Sequence, residues 1–450
     1  MTHEPVTVIG GGLAGSEAAW QVARRGLPAV LFEMRPQHMT PAHRTGLLAE
    51  LVCSNSLGSA LADRATGVLQ AEMRLAGSLV MRAADEARTP AGGALAVARE
   101  TFAEAVTREL SQSPFIEIRR EEVKQLPKDG ITVVATGPLT SDALAGNLAR
   151  ETGDDNLHFF DAIAPIVSAD SLNRDICFRA SRYGRGDAPE GDYLNCPMTQ
   201  EEYERFVEAL RQAETIPLDR FETEDPRFFE GCLPVEEIAR RGPRSLAFGP
   251  LRPVGLTDPR TGKRPYAVVQ LRQDDQVGTL YNMVGFQTNL RYPEQKRVFR
   301  MIPGMEKAEF VRLGQMHRNT FLNAPKLLEP TLRMKQRPRT FLAGQLAGVE
   351  GYMGNVATGW LAGVNAARTV LGDPLLHMPP TTLTGALTHY ICGANAETFQ
   401  PMKANFALVP PLPEAPRKKR LRAAAYGERA VADFAALLSE HNIEAMTQQR

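Results

Sequence analysis

Residues 6–15 read V-T-V-I-G-G-G-L-A-G, an apolar strand that opens directly into G-x-G-x-x-G. An acidic residue, Glu33, follows about twenty residues later at the end of a second apolar strand, Ala29 to Phe32. Each glycine has a mechanical task. Gly10 permits the tight turn, Gly12 lets the backbone approach a pyrophosphate, and Gly15 lets the helix expected over Ser16 to Arg25 pack closely on the sheet. The phosphates then meet that helix's N-terminus, with Gly11, Leu13 and Ala14 alongside, and Glu33 holds a ribose hydroxyl. Strand, glycine turn, helix, second strand and terminal acid together commit this end of the chain to a dinucleotide-binding β-α-β unit.

The remaining chain is long enough for more. With 450 residues, 43% hydrophobic and 23% charged, it forms two or three globular domains. Lys+Arg and Asp+Glu each total 52, so a polyanionic partner must be met by local basic patches rather than by net charge. The five cysteines, Cys53, Cys177, Cys196, Cys232 and Cys392, are scattered and include no CxxC pair, which points to a reducing cytoplasm and to no metal site. No apolar run reaches membrane-spanning length, and the N-terminus enters a strand without a signal peptide's basic region. A cytoplasmic protein with no membrane partner is expected.

Strand and helix signals alternate to about residue 150, including a helix over Glu100 to Leu110 and a strand Ile131 to Val134 that runs into Ala135-Thr136-Gly137. From 151 to 325 the chain becomes rich in Pro, Arg and aromatic residues, with a polar helix over Glu201 to Glu214 and strands near Ala267 to Leu271 and Leu280 to Phe286. Thr340 to Gly348 is again a strand into a glycine turn, with a helix expected over Ala357 to Leu371. Two dense glycine clusters more than three hundred residues apart favour FAD over NAD, because glutathione-reductase-like flavoproteins return the chain to the flavin in this way. The expected fold is α/β: a Rossmann FAD-binding domain in two parts, 1–150 and 326–410, with an inserted α+β substrate domain, 151–325, and a basic helical tail, 411–450. The second G-x-G-x-x-G of a nicotinamide domain is missing from the insert, so NADPH or NADH visits the flavin transiently.

Five ordered blocks carry a more specific likeness: C-S-N-S-L at 53–57, P-A-G-G-A-L-A-V at 90–97, Y-L-N-C-P-M at 193–198, M-H-R-N-T at 316–320 and G-V-E-G-Y at 348–352. Over about residues 4 to 410 the chain resembles the bacterial folate-dependent tRNA (uracil-5-)-methyltransferase family, TrmFO. The resemblance implies C5 methylation of the T-loop uridine of tRNA, uridine 54, with 5,10-methylenetetrahydrofolate as carbon donor and reduced FAD as reductant. Uracil C5 is a poor nucleophile until a thiolate adds at C6, which suits a cysteine. The resemblance assigns that role to Cys232, just before a helix, and assigns to Cys53 the flavin-side role of stabilising the intermediate or removing the C5 proton; the two roles are exchangeable. Arg99, Thr136, Gly137, Gly344, Gln345, Gly351, Tyr352, Ala357 and Thr358 join the opening glycines as implied FAD contacts. His317, Arg318, Asn319 and Tyr352 are implied folate or base contacts. Cys177, Cys196 and Cys392 read as small buried hydrophobes.

The target base must leave its stack before a thiol reaches it. Phosphate contacts are sought at His38 to Arg44, at Arg240-Arg241 with Arg244, at Arg333 to Arg339 and at Arg417 to Arg422. Two positions depart from the family pattern: Ala98 stands where an Asp precedes the Arg of A-V-D-R, and Gly354 where an acid follows G-Y-x. Both are expected near the cofactor, with altered flavin or folate affinity as the consequence. Two other readings are an enzyme of the sister MnmG (GidA) family acting on wobble uridine, against which the C-S-N-S block and the absence of room for an extra C-terminal helical domain argue, and a flavin-containing tRNA-binding protein or chaperone with little turnover. Neither composition nor motif fixes the oligomeric state.

Overall fold

The computed structural model describes residues 3–153, 157–184, 188, 190–217 and 233–443. A five-stranded parallel sheet runs in the order Thr340–Leu342, Thr132–Val134, Val6–Ile9, Ala29–Phe32, Ile116–Arg119. Its register sets Ile9 beside Val134, and Val134 beside Leu342. The three glycine turns that begin at Gly10, Ala135 and Ala343 therefore emerge side by side at the carboxyl edge, where ligands of open parallel sheets bind. This is the Rossmann arrangement that the glycine pattern predicts.

Helices Leu13–Ala23 and Tyr352–Leu371 lie against one another over this sheet. Their closeness has a simple cause: a Cβ on Gly359 would fall on the Ala14 backbone, so glycine lets two main chains touch. The second helix begins at Tyr352, five residues before its expected start. Gly351, at φ 80°, turns the chain into it, and the weak helix formers Gly354 and Asn355 hide its first turn from a pattern search. Other elements fall close to expectation: helices Arg99–Gln112 and Gln200–Gln212, strands Ala267–Gln273 and Leu280–Met283.

The chain leaves the first lobe on strand Leu157–Ala162 and returns on Met316–Phe321, which pair antiparallel. Between them lies a six-stranded antiparallel sheet in the order Phe178–Ala180, Tyr193–Met198, Ala267–Gln273, Leu280–Met283, Ile166–Ser168, Phe310–Arg312. Alternation along its strands separates two faces. Leu194, Cys196, Val269, Leu271, Tyr281 and Met283 enter a core with Tyr203, Phe206 and Phe299. The opposite face carries Tyr193, Asn195, Gln270, Arg272 and Asn282, and it borders the first lobe. The C-terminal helix, Lys419–Glu440, belongs to the first lobe's core: Ala430, Phe434 and Leu437 are buried there, with Phe434 5.4 Å from Trp360. Among the described residues no helix is long and apolar enough to cross a membrane.

Candidate active site

At the carboxyl edge of the parallel sheet lies a cavity, in the crevice where open parallel sheets bind their ligands. It is lined by Gly10, Gly11, Gly12, Leu13, Ala14, Glu33, Thr136, Gly137, Gly344, Gln345 and Tyr352, all marked by the sequence. The loop suits a dinucleotide. A Cβ on Gly10 would stand 2.6 Å from the Ala135 carbonyl oxygen, whereas a Cβ on Gly12 would meet nothing within 4 Å, leaving room for a phosphate. Helix Leu13–Ala23 has neither a side-chain cap nor an acid in its first turn, so its N–H groups and positive dipole end stay available to an anion. Helix Tyr352–Leu371 is equally uncapped at its N-terminus. Beside it, among the described residues, the buried Asn355 Oδ1 has no hydrogen-bond partner. The residues present fit FAD.

Glu33 does more than await a ribose. Its Oε2 accepts from Gly11 N at 2.9 Å, while Arg35, itself buried, donates from Nε to Oε1 at 2.9 Å. Burial pushes this carboxyl up, but the hydrogen bonds and charge of Arg35 outweigh it and hold the group below the usual carboxylate range. The acid is thus a brace for the glycine loop.

A second cavity continues from the first. Val52, Pro138, Gln345, Tyr352 and Asn355 line both, and Cys53, Asn319, Gly351 and Arg272 line the second. Cys53 is half-buried, its Sγ 3.9 Å from the Ala162 carbonyl oxygen. Its loop is held by distant side chains. The Tyr352 hydroxyl accepts from Cys53 N at 2.9 Å and from Ser54 N at 3.1 Å. Arg272 donates to Asn55 Oδ1 at 2.7 Å and Ser54 Oγ at 2.8 Å. Arg99 donates to the carbonyls of Leu51 and Cys53, and Arg312 to that of Val52. Asp274 fixes Arg99 in turn, Nε to Oδ2 at 3.0 Å. Burial lowers the Arg272 guanidinium and pushes Arg312 down to about 10; for Arg99 burial is opposed by Asp274, which leaves it above its ordinary value. Sequence reasoning missed Arg272, Asp274, Arg312 and Asn355. The available signal was L-R-Q-D-D at 271–275, charges set into an otherwise apolar strand.

The remaining expected residues take other places. Arg99 and Ala98 border a separate cleft and not the nucleotide cavity, because helix Arg99–Gln112 starts on the far side of the Cys53 loop. Gly354 does line the second cavity, and a Cβ there would come 2.7 Å from Val349 Cγ1. Gly15 touches the Gly10 carbonyl, Ala357 is buried within its helix, and the Thr358 hydroxyl accepts from Gly344 N at 3.0 Å; these three shape the site from behind. His317 and Arg318 lie in strand Met316–Phe321, which runs to the cavity through Asn319. Cys232 lies outside the described residues. Cys177 and Cys196 are buried with their sulfurs 3.3 Å apart, and burial pushes Cys392 up to about 12.

Five arginines of the basic patches have acidic partners within the chain. Arg333 pairs with Glu329, Arg337 with Glu151, Arg339 with Glu4, Arg240 with Glu237 and Arg420 with Asp63. In the His38 to Arg44 segment, His43 is pushed down to about 4 by burial and by Arg35. Among the described residues no group of three or more His, Cys, Asp or Glu is placed to hold a metal ion.

Comparison with known proteins bears on this arrangement. A family model described as glucose inhibited division protein A matches residues 5–374. The methylenetetrahydrofolate–tRNA-(uracil-5-)-methyltransferase TrmFO of Thermosynechococcus vestitus is 60% identical, over 96% of this chain and 94% of its own length. TrmFO of Geobacter sulfurreducens is 60% identical over 95% of this chain and 98% of its own. Among solved structures, Aquifex aeolicus GidA shares the fold with a TM-score of 0.72 at 17% identity, over 98% of this chain and 74% of that one. Identity of this degree over nearly the whole length means that the chain belongs to the TrmFO family of methylenetetrahydrofolate–tRNA-(uracil-5-)-methyltransferases, within the wider GidA group.

Proposed function

We propose that this protein methylates C5 of uridine 54 in the T loop of tRNA, with 5,10-methylenetetrahydrofolate as carbon donor, FAD as resident cofactor and NADPH or NADH as external reductant. The observation that carries this reading is the position of Cys53, in the wall of the second cavity, next to Val52, which lines both that cavity and the dinucleotide cavity. The glycine loop at 10–15, Thr136, Gly137, Gly344, Gln345 and the N-terminus of helix Tyr352–Leu371 would hold the FAD, which when bound supplies the two electrons that turn a methylene into a methyl.

The chain's own groups do the rest. A thiolate adding at uracil C6 drives electrons toward the C4 oxygen and makes C5 nucleophilic. The buried charge of Arg272 in the cavity wall stabilises that oxygen as it becomes negative. Once C5 has gained its new carbon it must lose its proton before the C6 thiol departs. Cys232 adds and Cys53 serves the C5 proton, or the reverse. Tyr352 and the arginines fix the Cys53 backbone so that the sulfur keeps its place at the cavity wall. Asn319 and the strand carrying His317 and Arg318 supply polar contacts for folate or base. A tRNA substrate and an unpaired catalytic thiol both call for the cytoplasm.

The test is incubation of FAD-loaded protein with an unmodified tRNA transcript, labelled methylenetetrahydrofolate and NADPH. Label is expected in the T loop, and it should vanish in Cys53→Ala and in Cys232→Ala while flavin absorbance persists. Binding of flavin and tRNA without label would sink the enzymatic reading, and label confined to the anticodon would redirect it to wobble uridine.

A further inference from the structure

We propose that an exposed face of the insert, formed by Arg182, Tyr183, Arg244, Phe248 and Arg252, grips a looped strand of the tRNA, with bases stacking on the two aromatic rings and phosphates pairing with the arginines. The proposal rests on the functional reading above, whose substrate it locates.

Phe248 is 74% exposed and Tyr183 65%, although each would bury an aromatic ring's area favourably elsewhere. They are built into place. Tyr183 adopts φ 59°, a left-handed conformation unusual for a bulky residue, and its N–H donates to the Gly255 carbonyl at 3.0 Å. Its ring lies over Gly255, where a Cβ would come within 3.0 Å of it. Across the patch the Arg244 guanidinium sits 5.5 Å from the Phe248 ring centroid. Two exposed aromatic side chains, one with Arg244 over its ring and the other next to Arg182 in sequence, resemble the platforms that hold single-stranded nucleic acid.

Charge points the same way. Among the described residues no carboxylate pairs with Arg182, Arg244 or Arg252, whereas Arg240, Arg333, Arg337 and Arg339 each have an acidic partner. Arg182 donates to the Val254 carbonyl at 2.8 Å, which holds it beside Arg252. Burial, with Arg252 nearby, keeps the Arg182 guanidinium below its ordinary range. Like charges held together without an acid are relieved by a phosphate.

The face also leads to the catalytic cavity. Arg182 Nε donates to Gln270 Oε1 at 2.9 Å, and Arg272, two residues along the same strand face and so about 7 Å further, lines the cavity with Cys53. Pro250 packs against Gly285, two residues before Gln287, another wall residue. A base turned out of a strand held on this face is delivered to the cavity.

The experiment measures binding of an unmodified tRNA transcript to the FAD-loaded protein by fluorescence anisotropy at two salt concentrations. Phe248→Ala and Tyr183→Asn, the latter chosen because Asn tolerates the left-handed backbone, should each weaken binding about fivefold or more, and Phe248→Trp should restore it. Arg252→Ala should lower the slope of log affinity against log salt by about 0.7–0.9. Flavin content and melting temperature should stay at wild-type values. Unchanged tRNA affinity in Phe248→Ala and Tyr183→Asn overturns the proposal, and a shift in sedimentation with affinity unchanged would give the face to a second copy of the chain instead. Wild-type protein that binds no tRNA sinks the functional reading together with this one; wild-type methylation that the variants leave intact sinks the face alone.

Discussion

The glycine loop at Gly10–Gly15 and the loop that follows Cys53 both present main chain to a cavity, yet they are held by opposite means. The first is set by sterics among near neighbours: Gly15 against the Gly10 carbonyl, Ser16 Oγ on Gly11 O, and Glu33 from 22 residues away. The second is suspended from side chains 46 to 299 residues distant, Arg99 at the near end and Tyr352 at the far one. Two of its holders, Arg272 and Arg312, come from the insert's sheet. The glycine loop is therefore a property of one β-α-β unit, whereas the position of Cys53 depends on how the two lobes meet. A cofactor needs a fixed seat; the thiol's seat is completed only when the insert is docked.

Breaking the first loop has the largest expected effect. In Gly15→Ala the new Cβ falls on the Gly10 carbonyl oxygen, a backbone group with no side-chain freedom to yield. Overpacking of this kind costs about 3 kcal/mol or more, and flavin content and melting temperature should fall together. The second loop should fail differently. Asp274→Ala leaves the Arg99 guanidinium, 13% exposed, without its carboxylate, a loss of about 3 kcal/mol at the lower end for buried pairs. Because Arg99 also holds Leu51 O and Cys53 O, methyl transfer should drop at least about tenfold while FAD stays bound. Removing Asp85 from its exposed pair with Arg74, 2.7 Å apart on the first lobe's surface, should cost less than about 1 kcal/mol. Equal flavin loss in Asp274→Ala and Gly15→Ala, read from absorbance after gel filtration, would erase the distinction between the loops.

The same contrast explains what the sequence made legible. The parallel sheet, its glycine turns and the turn residues that line the first cavity were readable because they obey local rules: strand, glycine spacing, helix, terminal acid. The Cys53 loop announced itself through family blocks, but its braces did not. Arg272 reads as one charge in a strand, and nothing local says that it faces Ser54 and Asn55 across 217 or more residues. Arg99, expected as a flavin contact, donates to the Cys53 carbonyl from the start of helix Arg99–Gln112, a contact that no local pattern signals. The early start of helix Tyr352–Leu371 was hidden because Gly354 and Asn355 are poor helix formers; Gly354 fits there because a Cβ would press on Val349 and Leu387.

Acid should separate the two loops more gently. Glu33 is the titratable brace of the glycine loop, and although burial raises its carboxyl, Arg35 and the Gly11 N–H hold it net below the ordinary 4.5. A group depressed in the folded state binds fewer protons there than in the unfolded chain, so its stabilisation is complete above the unfolded pKa and is lost as pH falls through the folded one. Flavin retention should therefore decline below about pH 4.5, set by the unperturbed carboxylate. Glu33→Gln should bind flavin more weakly at neutral pH and lose part of that acid slope. The Cys53 loop's direct holders include three guanidinium groups that stay charged through this range, and Asp274 acts on the loop only through Arg99. A difference between wild type and Glu33→Gln that is independent of pH from neutral down to the acid transition would show that Gly11 is held by shape alone, and would make the two loops more alike than their hydrogen bonds indicate.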